Sequence, residues 1–170
     1  MLNRTRLAMT EQILSTETVG LPESAIDVLV FEVGEEFFGI EASVVRMITE
    51  FSAFDENIII EPHIGSIKLS DTKIPLLNIA EFLQLPSTDR DGKLSAVIVS
   101  LEDGEFFSII VARILKTISA EYFYKLPIEA MRYPDIYKSA FEFKGKFHLL
   151  LDLKGVLSRL IEHVKLQGEL

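Results

Sequence analysis

A strand-turn-strand pattern occurs twice in the chain, and this repeat limits the possible folds more than any other feature. Residues 26–41 contain an apolar run, a glycine and then two phenylalanines at 37–38. Residues 96–110 have the same order, with two phenylalanines at 106–107, an offset of 69 residues (106 − 37). Short β-branched and aromatic runs on both sides of a turn-forming glycine are typical of a β-hairpin. The repeat predicts two similar β units.

The two halves also end alike. Residues 74–79 (Ile-Pro-Leu-Leu-Asn-Ile) and 148–153 (His-Leu-Leu-Leu-Asp-Leu) each run from apolar residues into Asn or Asp and then back to an apolar residue. Apolar residues at helical spacing follow both segments, for about one turn in the first half and about three turns in the second. We therefore expect a short helix after the first segment and a C-terminal helix over residues 153–165, with Asp152 as its N-cap.

The boundary between the halves is marked by turn-forming residues at 85–93 (Leu-Pro-Ser-Thr-Asp-Arg-Asp-Gly-Lys). This division predicts a first barrel at about residues 25–85 and a second at about 94–153. The strands are apolar at more than alternate positions, as expected when both faces of a sheet are covered. Small barrels or a folded-over sheet both fit a mainly β chain of this kind. Residues 1–24 precede the repeat and fit either a tail or one short helix.

Composition argues against several classes of function. The chain carries 17 Lys and Arg against 26 Asp and Glu, a formal charge of −9, and these basic residues form no cluster. Such a surface repels nucleic acid and anionic lipid. The chain has no cysteine, which excludes disulfides and thiolate metal sites and fits a reducing compartment. We expect a cytoplasmic protein that binds no nucleic acid and does not insert into a membrane.

No catalytic or metal-binding pattern stands out. The three histidines, His63, His148 and His163, lie far from any Ser or Asp arrangement that sequence spacing alone could connect. The Asp103-Gly104 pair lies between two apolar runs, which is typical of a hairpin turn. We expect no catalytic residue, no metal site and no cofactor. The alternative is a small-molecule-binding or enzymatic β-barrel whose carboxylates perform the chemistry.

Four segments, in order and at matching gaps, resemble the CheW-like domain family. Residues 29–40 (Leu-Val-Phe-Glu-Val-Gly-Glu-Glu-Phe-Phe-Gly-Ile) are similar to the opening strand, turn and return strand of that family. Residues 65–79 are similar to its central Gly-x-Ile-Asn-Leu-Arg-Gly segment and the Pro and Asp-Leu that follow. Residues 97–111 and 140–153 are similar to its second half. The resemblance spans about residues 26–160.

This resemblance implies a fold and a function. The family fold is two five-stranded SH3-like barrels packed across a shared hydrophobic core, with short helices and a C-terminal helix. Its members are non-enzymatic, cofactor-free adaptors of bacterial chemosensory signal transduction. They couple the cytoplasmic tips of chemoreceptors to a CheA-like histidine kinase that carries a related domain. The receptor's helical hairpin occupies the groove between the barrels, and the kinase domain meets one barrel edge to edge.

The chain departs from the family at four motif positions. The motif Arg falls on Ser70, the motif Gly on Asp71, the motif Asp on Asn78, and a Glu common in relatives aligns with Met47. In relatives this Glu and the motif Arg form a charged pair. Losing both members of a charged pair leaves no orphan charge, so the fold need not suffer. We expect the loss of this charged pair to change which partner the protein binds.

Aligned positions and surplus apolar residues predict a partner-binding surface on the first barrel. Three of its members could instead belong to the core, namely Val44, Val45 and Ile48. The predicted surface consists of Val44, Val45, Met47, Ile48, Ser70, Thr72 and Ile74.

Overall fold

The computed structural model describes residues 25–52, 55–86 and 93–166, which form two curled β-sheets and a C-terminal helix. The strands are β1 (Ile26–Val33), β2 (Glu36–Glu41), β3 (Val45–Ser52), β4 (Ile58–Ile59), β5 (Ile64–Leu69), β6 (Thr72–Leu77), β7 (Lys93–Ser100), β8 (Phe106–Val111), β9 (Arg113–Ala120), β10 (Tyr137–Phe143) and β11 (Lys146–Leu151). The helices are α1 (Ile79–Phe82) and α2 (Leu153–Leu166), with 3-10 turns at Ala42–Val44, Ile128–Ala130 and Pro134–Ile136.

Both sheets have the same strand order, built from opposite halves of the chain. One sheet runs β10-β11-β2-β1-β9 and the other runs β3-β7-β8-β6-β5-β4. When β1, β2, β3, β5 and β6 are matched with β7, β8, β9, β10 and β11, the two orders coincide apart from the two-residue β4. Each half therefore gives its first hairpin to one sheet and its remaining strands to the other.

This exchange corrects the predicted barrel boundaries. Residues 25–85 and 94–153 are repeat units, but neither range makes a barrel by itself, because β1 and β2 pair with β9 and β11. The physical reason is that the chain crosses between the sheets after β2, at the 3-10 turn Ala42–Val44. Parallel pairing then joins the halves, with Leu150 opposite Gly39 in one sheet and Leu76 opposite Ser108 in the other. The N-terminal prediction for residues 1–24 lies outside the described residues.

The predicted fold class is confirmed. The described chain is mainly β, with two curled sheets consistent with the two-barrel SH3-like fold, and β4 adds a sixth strand to one of them. The C-terminal helix is one residue longer than predicted and ends at Leu166. The Oδ1 atom of Asp152 accepts hydrogen bonds from the backbone N–H groups of Lys154 (3.1 Å) and Gly155 (3.2 Å), which confirms the predicted N-cap.

The central hairpins are apolar on both faces because they contribute to two cores. Alternate residues of β1, such as Leu29 and Phe31, pack into a core between the sheets, where they join Val97 and Val99 of β7. The intervening residues, such as Val28, fill the interior of their own sheet instead. The period of two in a strand produces this division. The expectation that both faces of the strands are covered is confirmed.

Matched positions in the two sheets carry complementary side-chain sizes. Gly39 lies opposite Leu150, and the ring of Phe141 occupies the space where a Cβ of residue 39 would be. In the other sheet the corresponding residue is Ser108, which is fully buried and donates a hydrogen bond from Oγ to the carbonyl oxygen of Pro75 at 2.8 Å. In the register of that sheet, Ile67 stands at the position that Phe141 has in the first sheet. The large ring of Phe141 thus requires glycine at position 39, whereas the smaller Ile67 leaves room for serine at position 108.

Replacing Gly39 with alanine is expected to destabilise the protein. The added Cβ would lie 2.6 Å from Val28 Cγ1 and 2.7 Å from Phe141 Cε1. Overpacking of this kind costs about 1–3 kcal/mol of unfolding free energy. Urea denaturation of Gly39→Ala, Phe141→Leu and the double variant measures this cost. Since leucine at position 141 relieves the clash, the double variant should lose less unfolding free energy than the sum of the losses in the two single variants. Strictly additive losses would contradict the packing argument.

The exchanged strands also predict that the two halves depend on each other for folding. A fragment of residues 1–89 lacks β9, β10 and β11, and a fragment of residues 90–170 lacks β1 and β2. Neither fragment alone should show a cooperative thermal transition, whereas an equimolar mixture should recover one. Circular dichroism melting of each fragment and of the mixture makes this measurement. Cooperative melting of either fragment alone would contradict the dependence.

Candidate partner-binding surface

A groove of about 650 Å³ lies along the seam between the two sheets. One wall comes from β3 and β7 of the six-stranded sheet, and the other comes from the start of β9 in the five-stranded sheet. β3 and β9 are equivalent strands of the repeat, and each is an outer strand of its sheet. The groove is lined by Ile48, Glu50, Phe51, Ser52, Lys93, Leu94, Ser95, Ala112, Arg113 and Ile114.

The groove combines apolar side chains with charges. The side chain of Ile48 is 42% exposed, and Ile114 is half-buried against the core between the sheets. Glu50, Lys93 and Arg113 supply charge around them. This combination can hold an amphipathic helix, because apolar anchors need desolvated contacts and the polar face needs a wet rim.

The Arg113 side chain is held in place by a neighbour. Its Nε–H donates to the Oε2 atom of Glu32 on β1, the strand that pairs directly with β9. The guanidinium remains largely exposed, whereas the carboxylate is mostly covered. The ion pair therefore positions a cation at the groove without removing it from solvent.

A second cavity of about 540 Å³ lies where the 3-10 turn Ala42–Val44 approaches the start of α2. Its lining includes Val44 and Arg46, and at one side Lys138 donates to Glu41 Oε1 at 3.1 Å. Ser100, Glu102, Asp103, Asp152 and Lys154 also line it, with Ile40, Leu151 and Leu153. Charges of both signs surround this cavity, so the lining alone favours no particular ligand charge.

The four predicted residues in the 3-10 turn and at the start of β3 lie in different environments. Val44 and Val45 are half-buried and pack against the core between the sheets. Met47 is 50% exposed and pairs with Ile98, whose side chain points into the six-stranded sheet. Ile48 pairs with Val97, whose side chain points toward the other sheet. Met47 and Ile48 therefore project from opposite faces of one strand.

The remaining predicted residues lie near the other end of the same sheet. Ser70 and Thr72 are exposed at the turn between β5 and β6, and Ser70 has a left-handed backbone with φ of 54°. Ile74 is buried inside the sheet with 7% exposure. Two strands, β7 and β8, separate β6 from β3, a distance of roughly 14 Å along the sheet. The seven residues belong to one sheet and its adjoining turns, but they do not lie on one face.

Nine of the ten groove residues were absent from the predicted surface, among them Glu50, Arg113 and Ile114. The repeat contained a usable signal for Ile114, because residues 44–48 resemble residues 114–118. A surface predicted on one member of a repeated pair implies a related surface on the other. What sequence similarity could not show is that strand exchange brings the two members to the same seam.

The histidines pack against aromatic rings. His63, with 7% exposure, meets His163 at 5.0 Å between ring centroids, and His163 meets Phe82 at 5.5 Å. His148 lies 5.6 Å from the ring of Phe37. Within residues 25–52, 55–86 and 93–166, no three His, Cys, Asp or Glu side chains are grouped so as to hold a metal ion.

Helix α2 is fixed by Arg159 to the loop that precedes β10. Its Nη2 donates to Asp135 Oδ1 at 3.0 Å, and its guanidinium lies 5.4 Å from the ring centroid of Tyr133. The hydrogen bond to Asp135, together with that carboxylate's charge, raises the pKa of Arg159 above its ordinary value. Gly155 is needed beside the same loop, since a Cβ there would lie 1.9 Å from the carbonyl oxygen of Asp135. None of the helices described is long and apolar enough to cross a membrane.

Comparison with known proteins agrees with this architecture. Among solved structures, the chain is similar to the scaffolding protein TtCheW from Thermoanaerobacter tengcongensis, with a TM-score of 0.63 and 15% sequence identity. The match covers 75% of this chain and 89% of that chain, and it supports the fold. No curated protein matches the chain in sequence. The family model of the CheW-like domain matches residues 27–160, most of the sequence. The chain therefore belongs to the CheW-like domain family.

Proposed function

We propose that the protein is a non-enzymatic cytoplasmic scaffold that couples the cytoplasmic tip of a chemoreceptor to a histidine kinase. The observation that carries the proposal is the seam groove between the two sheets, in a chain whose family and fold are those of a scaffold. The apolar residues of the groove suit the apolar stripe of a helix from a receptor hairpin, and its charged rim suits the polar residues beside that stripe.

The receptor-binding part of the proposal centres on Ile48 and Ile114. They come from opposite sheets, so a helix lying in the groove would contact both barrels at once. Glu50 and Arg113, of opposite charge, flank them and would select the polar residues beside the apolar stripe. The proposed receptor surface therefore keeps Ile48 from the predicted set and adds three residues.

The kinase-binding part centres on the opposite face of β3. Met47 is half exposed there, on an outer strand of the sheet. It stands where relatives carry Glu, and Ser70 stands where they carry the partnering Arg. A thioether and a hydroxyl can bind a partner without a charge, so the proposed kinase would present an apolar rather than an ionic contact at this position.

Charging the groove is expected to weaken receptor binding. Ile48→Asp places a carboxylate among apolar contacts that exclude water, which should lower affinity for a receptor cytoplasmic fragment by about tenfold to a hundredfold. Isothermal titration calorimetry measures the change. The matched control is Ile128→Asp, because Ile128 is also an exposed isoleucine, at 54%, but does not line the groove. Equal affinities of the two variants would contradict the proposed receptor surface.

Charging the other face of β3 should separate the two partners. Met47→Lys is expected to weaken binding to the kinase's related domain by about tenfold while leaving the receptor affinity within about twofold. Both affinities are measured on one preparation whose melting temperature matches that of the parent protein. Loss of receptor binding with intact kinase binding would reverse the assignment, and loss of neither would remove Met47 from the binding surface.

A further inference from the structure

Strand β3 is an eight-residue outer strand of the six-stranded sheet. Among the described strands it pairs with β7 alone, and seven of its residues between Val45 and Ser52 have a partner there. Outer strands normally avoid pairing with other chains by being short, charged or bulged, because their free N–H and C=O groups form a template for another strand. A register shift lies near Arg46, but the strand continues from Met47 to Ser52 without another break.

The charges on β3 are arranged symmetrically. Arg46 and Glu50 stand two residues before and two residues after Ile48, and both are exposed. Neither belongs to an ion pair among the described residues. The strand from Val45 to Ser52 carries one positive and one negative charge, so it is locally neutral in a chain of net charge −9. Two copies that met at this strand would therefore face no net charge repulsion between the two strands.

The charged residues also share a face of the strand with Ile48. Ile48 and Glu50 pair with Val97 and Ser95, and both line the seam groove between the sheets. Arg46 lines the second cavity together with Ile40 and Leu151, two residues of the core between the sheets. All three side chains are thus directed to the side on which the sheets meet.

We propose that this protein pairs with a second copy of itself through antiparallel β3 strands, with Ile48 opposite Ile48 across a two-fold axis. In that register Arg46 of each copy lies opposite Glu50 of the other, which gives two favourable cross-strand pairs. A two-fold contact of this kind is self-complementary and closes at two copies. The exposed apolar side chains of Met47 and Ile48 would gain contacts on both faces of the joined sheet.

The pairing bears on the proposed function, because Ile48 also lines the groove. If that function holds, a receptor helix and a second copy would compete for the same residue. The self-pairing itself is measured on the isolated protein with no partner present. Failure of one proposal is therefore distinguishable from failure of the other.

Sedimentation equilibrium of the full chain tests the pairing. We expect the apparent mass to rise with concentration from 19.2 kDa toward twice that value. Arg46→Glu and Glu50→Arg each place like charges opposite one another twice, and each should raise the dissociation constant by about tenfold or more. The double variant Arg46→Glu/Glu50→Arg restores opposite charges and should return it to within about threefold of the parent value.

The matched control is Lys116→Glu. It makes the same change in net charge as Arg46→Glu, on the equivalent outer strand β9, and should leave the dissociation constant unchanged. All three substituted positions, Arg46, Glu50 and Lys116, are exposed, and melting temperatures confirm that each variant is folded. A chain that stays monomeric up to millimolar concentration overturns the proposal. The proposal is also overturned if the single variants leave the dimer intact, or if Lys116→Glu weakens it as much as they do. Failure of the double variant to restore the dissociation constant overturns it as well.

Discussion

The apolar contact between the two sheets is the constraint on which the rest of this structure depends. Leu29 and Phe31 on one side and Val97 and Val99 on the other are almost wholly removed from water. The hairpins that carry them must also fill the interiors of their own sheets, so they are apolar on both faces. Burial of this extent is the main favourable term in folding, and it leaves little of the central hairpins for binding. The surface left for a partner therefore lies on the outer strands and along the seam.

Strand exchange converts a sequence repeat into one cooperative unit. Each half crosses the seam after its first hairpin and completes the sheet of the other half. The parallel pairs of β2 with β11 and of β6 with β8 close the two sheets in equivalent register. Since neither half can bury its strands alone, the sheets have to form together. The seam groove exists only when both are complete.

Much of the fold could be predicted from the sequence, because its signals are local. The period-two pattern, the turn at Gly34 and the N-cap at Asp152 each depend on a few neighbouring residues. Gly34 and Glu35 do form a two-residue hairpin turn, with φ of 55° and 69°. Strand exchange is a different kind of property, since a hairpin can complete its own sheet or the other with similar local contacts. A repeat shows which units are alike but not which unit each one pairs with.

The candidate site shows the same division. Ile48 and Met47 could both be predicted because they are apolar beyond local need, but the alternation of side chains along β3 places them on opposite faces of the strand. Ile74 resembles Ile48 in type, yet it is buried because it faces the interior of its sheet together with Ile67 and Ile98. Which face of a strand is covered follows from pairing between distant residues.

The exchanged strands have a mechanical consequence. A force that draws the two sheets apart cannot do so by sliding one globular body off another, because the backbone passes from one sheet to the other in each half of the chain. Separation would require unzipping the ladders of β1 with β9 and of β7 with β3. The pair of sheets therefore moves as one stiff body, and a displacement imposed at the seam is carried to the far edges without being absorbed between them.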